Sequence, residues 1–275
     1  MRVALIAAIT WREAARRKVL LAVLLLSAGY LSVFALGVAL QFRGRRPPSP
    51  LIRAEIWAGL FQLALYGVAF LSALLAIVAS LETVAGEIGS GTIQTLATKP
   101  MPRWQLLWGK WLGFAALLAV YVGVMCAVAA YVVAQGRGGY HAPHLAVAAL
   151  LIWLESLVLL TVTLLFATVC SALASGVLAL GLYGLAFIGG WVEQIGAILH
   201  HPATVRLGII TSLICPSEAL WRRASFALRS PLPGALRFTP FATASVPSGA
   251  MVLYAVAYLL VALALALRHF SQRDL

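Results

Sequence analysis

The chain has 275 residues, of which 63% are hydrophobic and only 10% charged, against about a quarter charged in an ordinary globular domain. That composition excludes a water-soluble fold and reads as a polytopic membrane protein. The net charge of +12 lies in chain ends and in loops between apolar runs, with no aromatic-interleaved groove, so anionic lipid headgroups rather than nucleic acid are its counter-charge. Three cysteines, Cys126, Cys170 and Cys215, give neither a disulfide framework nor a C-x-x-C metal pattern.

At 100° per residue, Arg2, Arg12, Glu13, Arg16 and Arg17 fall on one arc, with Ala4, Ala7, Ala8, Trp11 and Ala15 opposite. Residues 1–18 therefore read as an amphipathic helix lying in the membrane interface. Residues 19–41 form a first span, with basic residues upstream that set the N-terminus inside. No Ala-x-Ala site follows, so this span is expected to be retained rather than cleaved as a signal. Arg43, Arg45 and Arg46 with the Pro47-Pro48-Ser49-Pro50 run form a polar outer loop. This conflicts with the positive-inside rule, because the basic residues divide about equally between the two faces; only the N-terminal segment is fixed by charge, and the rest by counting spans.

Residues 56–81 and 106–133 are long enough to cross a hydrocarbon layer of about 30 Å at 1.5 Å per residue. Between them, residues 82–105 form the one sizeable hydrophilic passage enclosed by apolar runs. Gly86, Gly89 and Gly91 weaken the descending helix, and Ser90 or Thr92 caps a short new one over 92–98. Lys99 suits the carbonyl end of that helix, Pro100 and Pro102 stop it, and Trp104 and Trp108 suit the headgroup layer. The passage reads as a short helix held against the membrane on the inner side.

Residues 136–143 are a short outer turn, and the apolar run that follows, about 55 residues, is too long for one crossing. A turn over 170–176 divides it into spans 145–169 and 173–197. Gly181, Gly184, Gly189 and Gly190 make the second of these a dimer face or an intrachain packing face. The outer loop 198–249 carries an apolar stretch over 204–215, suited to an interfacial or re-entrant segment, and a helix opened by Pro216-Ser217-Glu218. Residues 250–268 complete six spans, which brings both ends to the cytoplasm.

Two acids fall within apolar spans, Glu155 and Glu193, both toward the outer ends. A carboxylate in lipid is costly, so each either snorkels to a local partner or lines the substrate path. His141, His144, His200 and His201 collect on the outer side without acid or cysteine support, and no metal site is expected of them. Gly109-Lys110-Trp111 lacks the first glycine and the hydroxyl of a P-loop, and no hydrolase motif occurs, so no catalytic residues are expected. Paired broken helices of an inverted-repeat carrier are also absent.

The run Glu87-Ile-Gly-Ser-Gly-Thr-Ile-Gln-Thr-Leu, then Lys99-Pro100-Met101-Pro102-Arg103 and Gly109-Lys110, resembles the permease subunits of type-2 ABC exporters. The resemblance implies an all-α single domain over 1–275 with six transmembrane helices, an N-terminal interfacial helix that touches an ATPase, and short outer helices between spans five and six. It implies a coupling helix between spans two and three, with Glu82, Glu87, Gly91, Thr92, Leu96, Lys99, Pro100 and Arg103 meeting the ATPase. It also implies two copies of a separate cytoplasmic ABC ATPase carrying the ATP and magnesium, a second permease copy or paralogue, and a location in the cell membrane. Tyr254-Ala-x-x-Tyr258 and the Arg273-Asp274-Leu275 ending are similar to the subgroup serving copper-site maturation of nitrous oxide reductase. Other classes consistent with the residues are an intramembrane assembly or maturation factor and a gradient-driven secondary carrier.

Overall fold

The computed structural model describes residues 2–16, 18–41, 50–89, 103–135, 144–228 and 245–272. Among these the chain is all helical: α1 (Arg2–Arg16), α2 (Lys18–Gln41), α3 (Pro50–Gly89), α4 (Arg103–Ala134), α5 (Leu145–Val169), α6 (Ala172–Ile198), α7 (Pro202–Ile214), α8 (Ser217–Ala227) and α9 (Gly249–Gln272). Six are long and apolar enough to cross a membrane: α2, α3, α4, α5, α6 and α9. Spans with no water around them must satisfy their backbone within themselves, which is why these runs are helices and not strands.

Antiparallel crossings give the bundle two ends. One carries α1, the α5–α6 turn and the C-terminal part of α9; it is called the terminal end below. The other carries α7 and α8. The core is built on α3, α4 and α5, where Phe61, Leu65, Leu75, Leu107, Phe114, Leu118, Ile152 and Leu159 are almost wholly buried. The first span, α2, is peripheral. It attaches to α3 through Tyr30, whose hydroxyl donates to the Leu63 carbonyl at 2.8 Å while its ring lies against Gly67. Its other faces expose leucines and valines, as suits a lipid-facing helix.

Three local expectations change. Helix α3 does not end where its apolar stretch does but runs on to Gly89, so Glu82 and Glu87 stand on its last turns rather than in a loop. A single helical glycine costs only about 1 kcal/mol, too little at Gly86 to end a helix already nucleated. Second, the α5–α6 turn is only Cys170 and Ser171, and Ala172 to Gly176 already belong to α6. Ser171 caps that helix by accepting from the Ala174 amide, and Gly176 lets Leu81 of α3 approach. Third, α1 turns Val3, Ile6, Ala7, Thr10, Trp11 and Ala14 inward, while Ala4, Ala8 and Ala15 are exposed. An alanine stripe has no strong facing preference, so the bulkier residues set the rotation.

Helix α1 packs on the first turns of α4 because two glycines clear the way. A Cβ at Gly109 would stand 2.7 Å from the Ile6 side chain, and one at Gly113 would stand 2.8 Å from the Ala7 carbonyl oxygen. Helix α1 is thereby fixed at the base of the passage joining α3 to α4. Gly113→Val is expected to lift α1 from α4 at an overpacking cost of about 1–3 kcal/mol. The check is a lower apparent Tm together with faster protease cleavage within 2–16.

Candidate functional site

The chemistry-bearing side chains converge where α7 and α8 meet the bundle. These two helices join at Cys215–Pro216 with a bend of 107°. Helix α7 runs back along the C-terminal half of α6, and α8 packs on α5. The segment leading into α9 returns to the same place, since Ser245 bonds to Glu193 of α6 and the Arg223 Nη1 donates to the Pro247 carbonyl. The pair is therefore a re-entrant hairpin rather than a seventh crossing.

Glycine permits this close seating. Gly189 of α6 faces Thr211, Gly190 faces Glu218, and a Cβ at Gly196 would stand 2.9 Å from Thr204. Gly208 of α7 in turn faces Glu193. So the glycine stripe of span five divides: Gly189, Gly190 and Gly196 receive the hairpin, while Gly181 and Gly184 meet nothing within 4 Å.

The seat is locked by a buried ion pair. Arg222 of α8 is 1% exposed, and its Nη1 stands 2.8 Å from Glu193 Oε1 as an ionic contact. Its Nη2 donates to Glu193 Oε2 at 2.8 Å and to Ser212 Oγ of α7 at 3.2 Å. The Ser245 hydroxyl donates to Glu193 Oε1 at 2.6 Å. One ion pair thus holds α6, α7, α8 and the entry to α9 together. At the hairpin's outer flank, Tyr254 donates to the Leu213 carbonyl, and on the bundle side the Gln62 amide donates to Ser225 of α8. Tyr66 of α3 meets Trp221 edge-on at 5.2 Å.

Two further acids lie beside the lock. Glu155 is the eleventh residue of the 25-residue α5, nearer the middle of the span than its end, and is 1% exposed. Its Oε2 has no hydrogen-bond partner among the described residues. Glu218, in the first turn of α8, is 6% exposed and lies within electrostatic reach of Glu155. Burial pushes the Glu218 carboxyl up to about 8, against the pull of Arg222 and with a further push from Glu193. Tyr66, Tyr183 and Cys215 share the same neighbourhood.

Of the residues singled out in the sequence, Glu193 finds a local partner, and Glu155 sits at a buried position without one in hydrogen-bond contact. Glu218 and Arg222 were read only as parts of a capped outer helix. A usable signal was present: they stand four apart on one helical face with Ser217, Ser225 and Trp221, so a polar stripe inside an apolar hairpin had to face protein. The eight coupling residues are not brought together in view. Glu82 and Glu87 lie on α3 and Arg103 opens α4, while Gly91, Thr92, Leu96, Lys99 and Pro100 fall outside the described residues, as does His141. His144, His200 and His201 are exposed; His201 instead caps α7 through Thr204. Among the described residues no group of three acids, histidines or cysteines is placed to hold a metal.

No curated protein matches the chain. Residues 5–275 match the family model described as ABC-2 family transporter protein.

Removing Glu193 leaves a buried guanidinium without its counter-charge. Glu193→Ala is expected to cost about 3–5 kcal/mol, whereas Ser245→Ala, which removes one hydrogen bond, costs about 1 kcal/mol. Apparent Tm of the purified full chain in lipid nanodiscs measures both, and equal small losses would mean that the ion pair does not hold the hairpin.

Proposed function

The chain belongs to the ABC-2 transporter family and is the membrane component of an ABC transporter, and on that premise we propose that it is an exporter permease worked by a separate ATPase. ATP and magnesium bind two copies of that cytoplasmic subunit, and the permease acts as a dimer with itself or a paralogue. Both termini and the passage between α3 and α4 then face the cytoplasm, and the hairpin faces outward.

The observation that carries this reading is the build of the terminal end. Helix α3 projects past its membrane-length stretch to Gly89, α4 restarts at Arg103, and α1 braces the first turns of α4. The hydrophilic passage between Gly89 and Arg103, with its Gly91-Thr92 and Lys99-Pro100 elements, is thus held at both ends on rigid supports. A docking element needs such supports, because a push on a loosely tethered loop is lost as loop motion. Helix α3 is a single rod of 40 residues, about 60 Å long, and its N-terminal half touches α8 through Tyr66 and Gln62. Movement imposed at the passage reaches the hairpin without an intervening joint.

Glu87→Arg combined with Thr92→Pro reverses a charge and puts a proline into the stretch that the sequence reads as a short helix. Co-expressed with its ATPase subunit, the double variant is expected to lose co-purification, or to keep it with hydrolysis no longer coupled to transport. Coupled transport at the unaltered rate, or labelling of Thr92→Cys from the exterior only, would overturn the docking assignment.

A further inference from the structure

The hairpin seat holds more negative than positive charge. Glu155, Glu193 and Glu218 are all buried, and the buried cation among them is Arg222. Its two Nη atoms are committed to Glu193 and Ser212. Glu193 also takes the Ser245 hydroxyl, so that pair is closed on itself. What is left is Glu155 against Glu218, two carboxyls within electrostatic reach of one another.

Two further cations lie on the elements packed here: Arg223 of α8, whose Nη1 donates to the Pro247 carbonyl, and the buried Lys110 near the start of α4. Helix α3 brings Tyr66, and α6 brings Tyr183 and Glu193. The joint between α7 and α8 brings Cys215, and α9 brings Tyr258 as far as Cys215. Helix α4 meets α5 through uncharged bonds, Trp111 to Thr161 and Trp153 to the Ala115 carbonyl. Among the described residues, three buried polar atoms of this cluster have no hydrogen-bond partner: Glu155 Oε2, Arg222 Nε, and Arg222 Nη1, the last in ionic contact with Glu193. The first is an acceptor only when ionised and becomes satisfiable as a donor when protonated.

Two like charges in a buried site cannot both be kept, and the deficit is met by a metal cation or by a proton. A hard metal cation needs six or more oxygens, or a set of nitrogen and sulfur ligands. Among the described residues no three acids, histidines or cysteines come together to supply one. A proton needs no coordination shell.

We propose that Glu155 and Glu218 form a proton-binding carboxyl pair that holds one exchangeable proton while the α7–α8 hairpin is seated against α5. Unseating the hairpin lets water reach both groups, and each then ionises as an ordinary carboxyl. The seated state binds more protons than the unseated one, so seating is favoured as pH falls and weakens as pH rises through the apparent titration of the pair. This inference rests on the packing of the hairpin and is independent of the ATPase reading above.

The test is infrared difference spectroscopy of the full chain in phosphatidylcholine–phosphatidylglycerol nanodiscs, following the C=O stretch of protonated carboxyls through a pH titration. The expected result is a buried-carboxyl band at neutral pH that is lost on alkaline titration. Glu155→Gln with Glu218→Gln should remove it. Each single variant should move the midpoint by about one pH unit or more, a tenfold change in proton affinity. Absence of the band from the unaltered protein overturns the proposal without reference to any variant. So does an unchanged band in the double variant, or single-variant midpoints equal to that of the unaltered chain. Loss of the band on adding sodium or calcium chloride at fixed pH would show that a metal cation fills the site and would also overturn it.

Discussion

A guanidinium sunk into an apolar bundle has to be answered by a carboxylate, and most of one end of this molecule is arranged around that requirement. Burying an ion costs several kcal/mol, and the attraction of its partner offsets this only when the geometry is close and the remaining bonding capacity is used. Arg222 and Glu193 meet the condition through two contacts at 2.8 Å, with Ser245 and Ser212 taking up further positions. The consequence is positional. Four chain segments that would otherwise find only non-directional contacts with one another are brought to a single point.

That lock in turn explains the glycines. Side chains on α6 would hold α7 and α8 away, and at a greater separation Arg222 would not reach Glu193. Gly189, Gly190 and Gly208 remove that obstacle by presenting backbone where a Cβ would collide with Thr211, Glu218 or Glu193. In lipid, where burial of apolar surface gives helices little reason to associate, close backbone approach and polar bonds carry the association. The hairpin uses both. At the opposite end Gly109 and Gly113 repeat the first device and let α1 seat closely on α4.

The six crossings were legible in the sequence because hydrocarbon thickness is an external ruler; an apolar run either spans it or does not. Boundaries set by weaker local energies were less legible. The end of α3 passed through Gly86, and the turn at Cys170–Ser171 proved shorter than the run of small residues around it, because a few tenths of a kcal/mol per residue do not decide against a continuing helix. Glu155 was legible as an expensive residue and was read as lying toward the outer end, although it is the eleventh of 25 residues in a span whose bounds the sequence marked as 145–169. Arg222 was legible only in part. Its helical face, shared with Ser217, Glu218 and Ser225, implies burial against protein, but the identity of its partner, Glu193, 29 residues upstream, depends on how the hairpin folds back on α6.

The closed ion pair also fixes what its neighbours can be. Had Arg222 lain between Glu193 and Glu218, the seat would hold two acids and a shared cation, and Glu155 would be a lone buried carboxyl of the kind found in many apolar cores. With both Nη atoms turned to Glu193, Arg222 gives Glu218 no hydrogen bond, only a pull from a distance that burial overrides. Glu218 retains the favourable dipole of the α8 N-terminus, which Glu155 lacks. Of the two, Glu218 is therefore the first to give up its proton as pH rises, and Glu155 keeps its own for longer. The asymmetry matters for the hairpin: the charge that exchanges most readily rides on the element that leaves the seat, while Glu155, on the bundle, ionises only once water fills the place the hairpin has vacated.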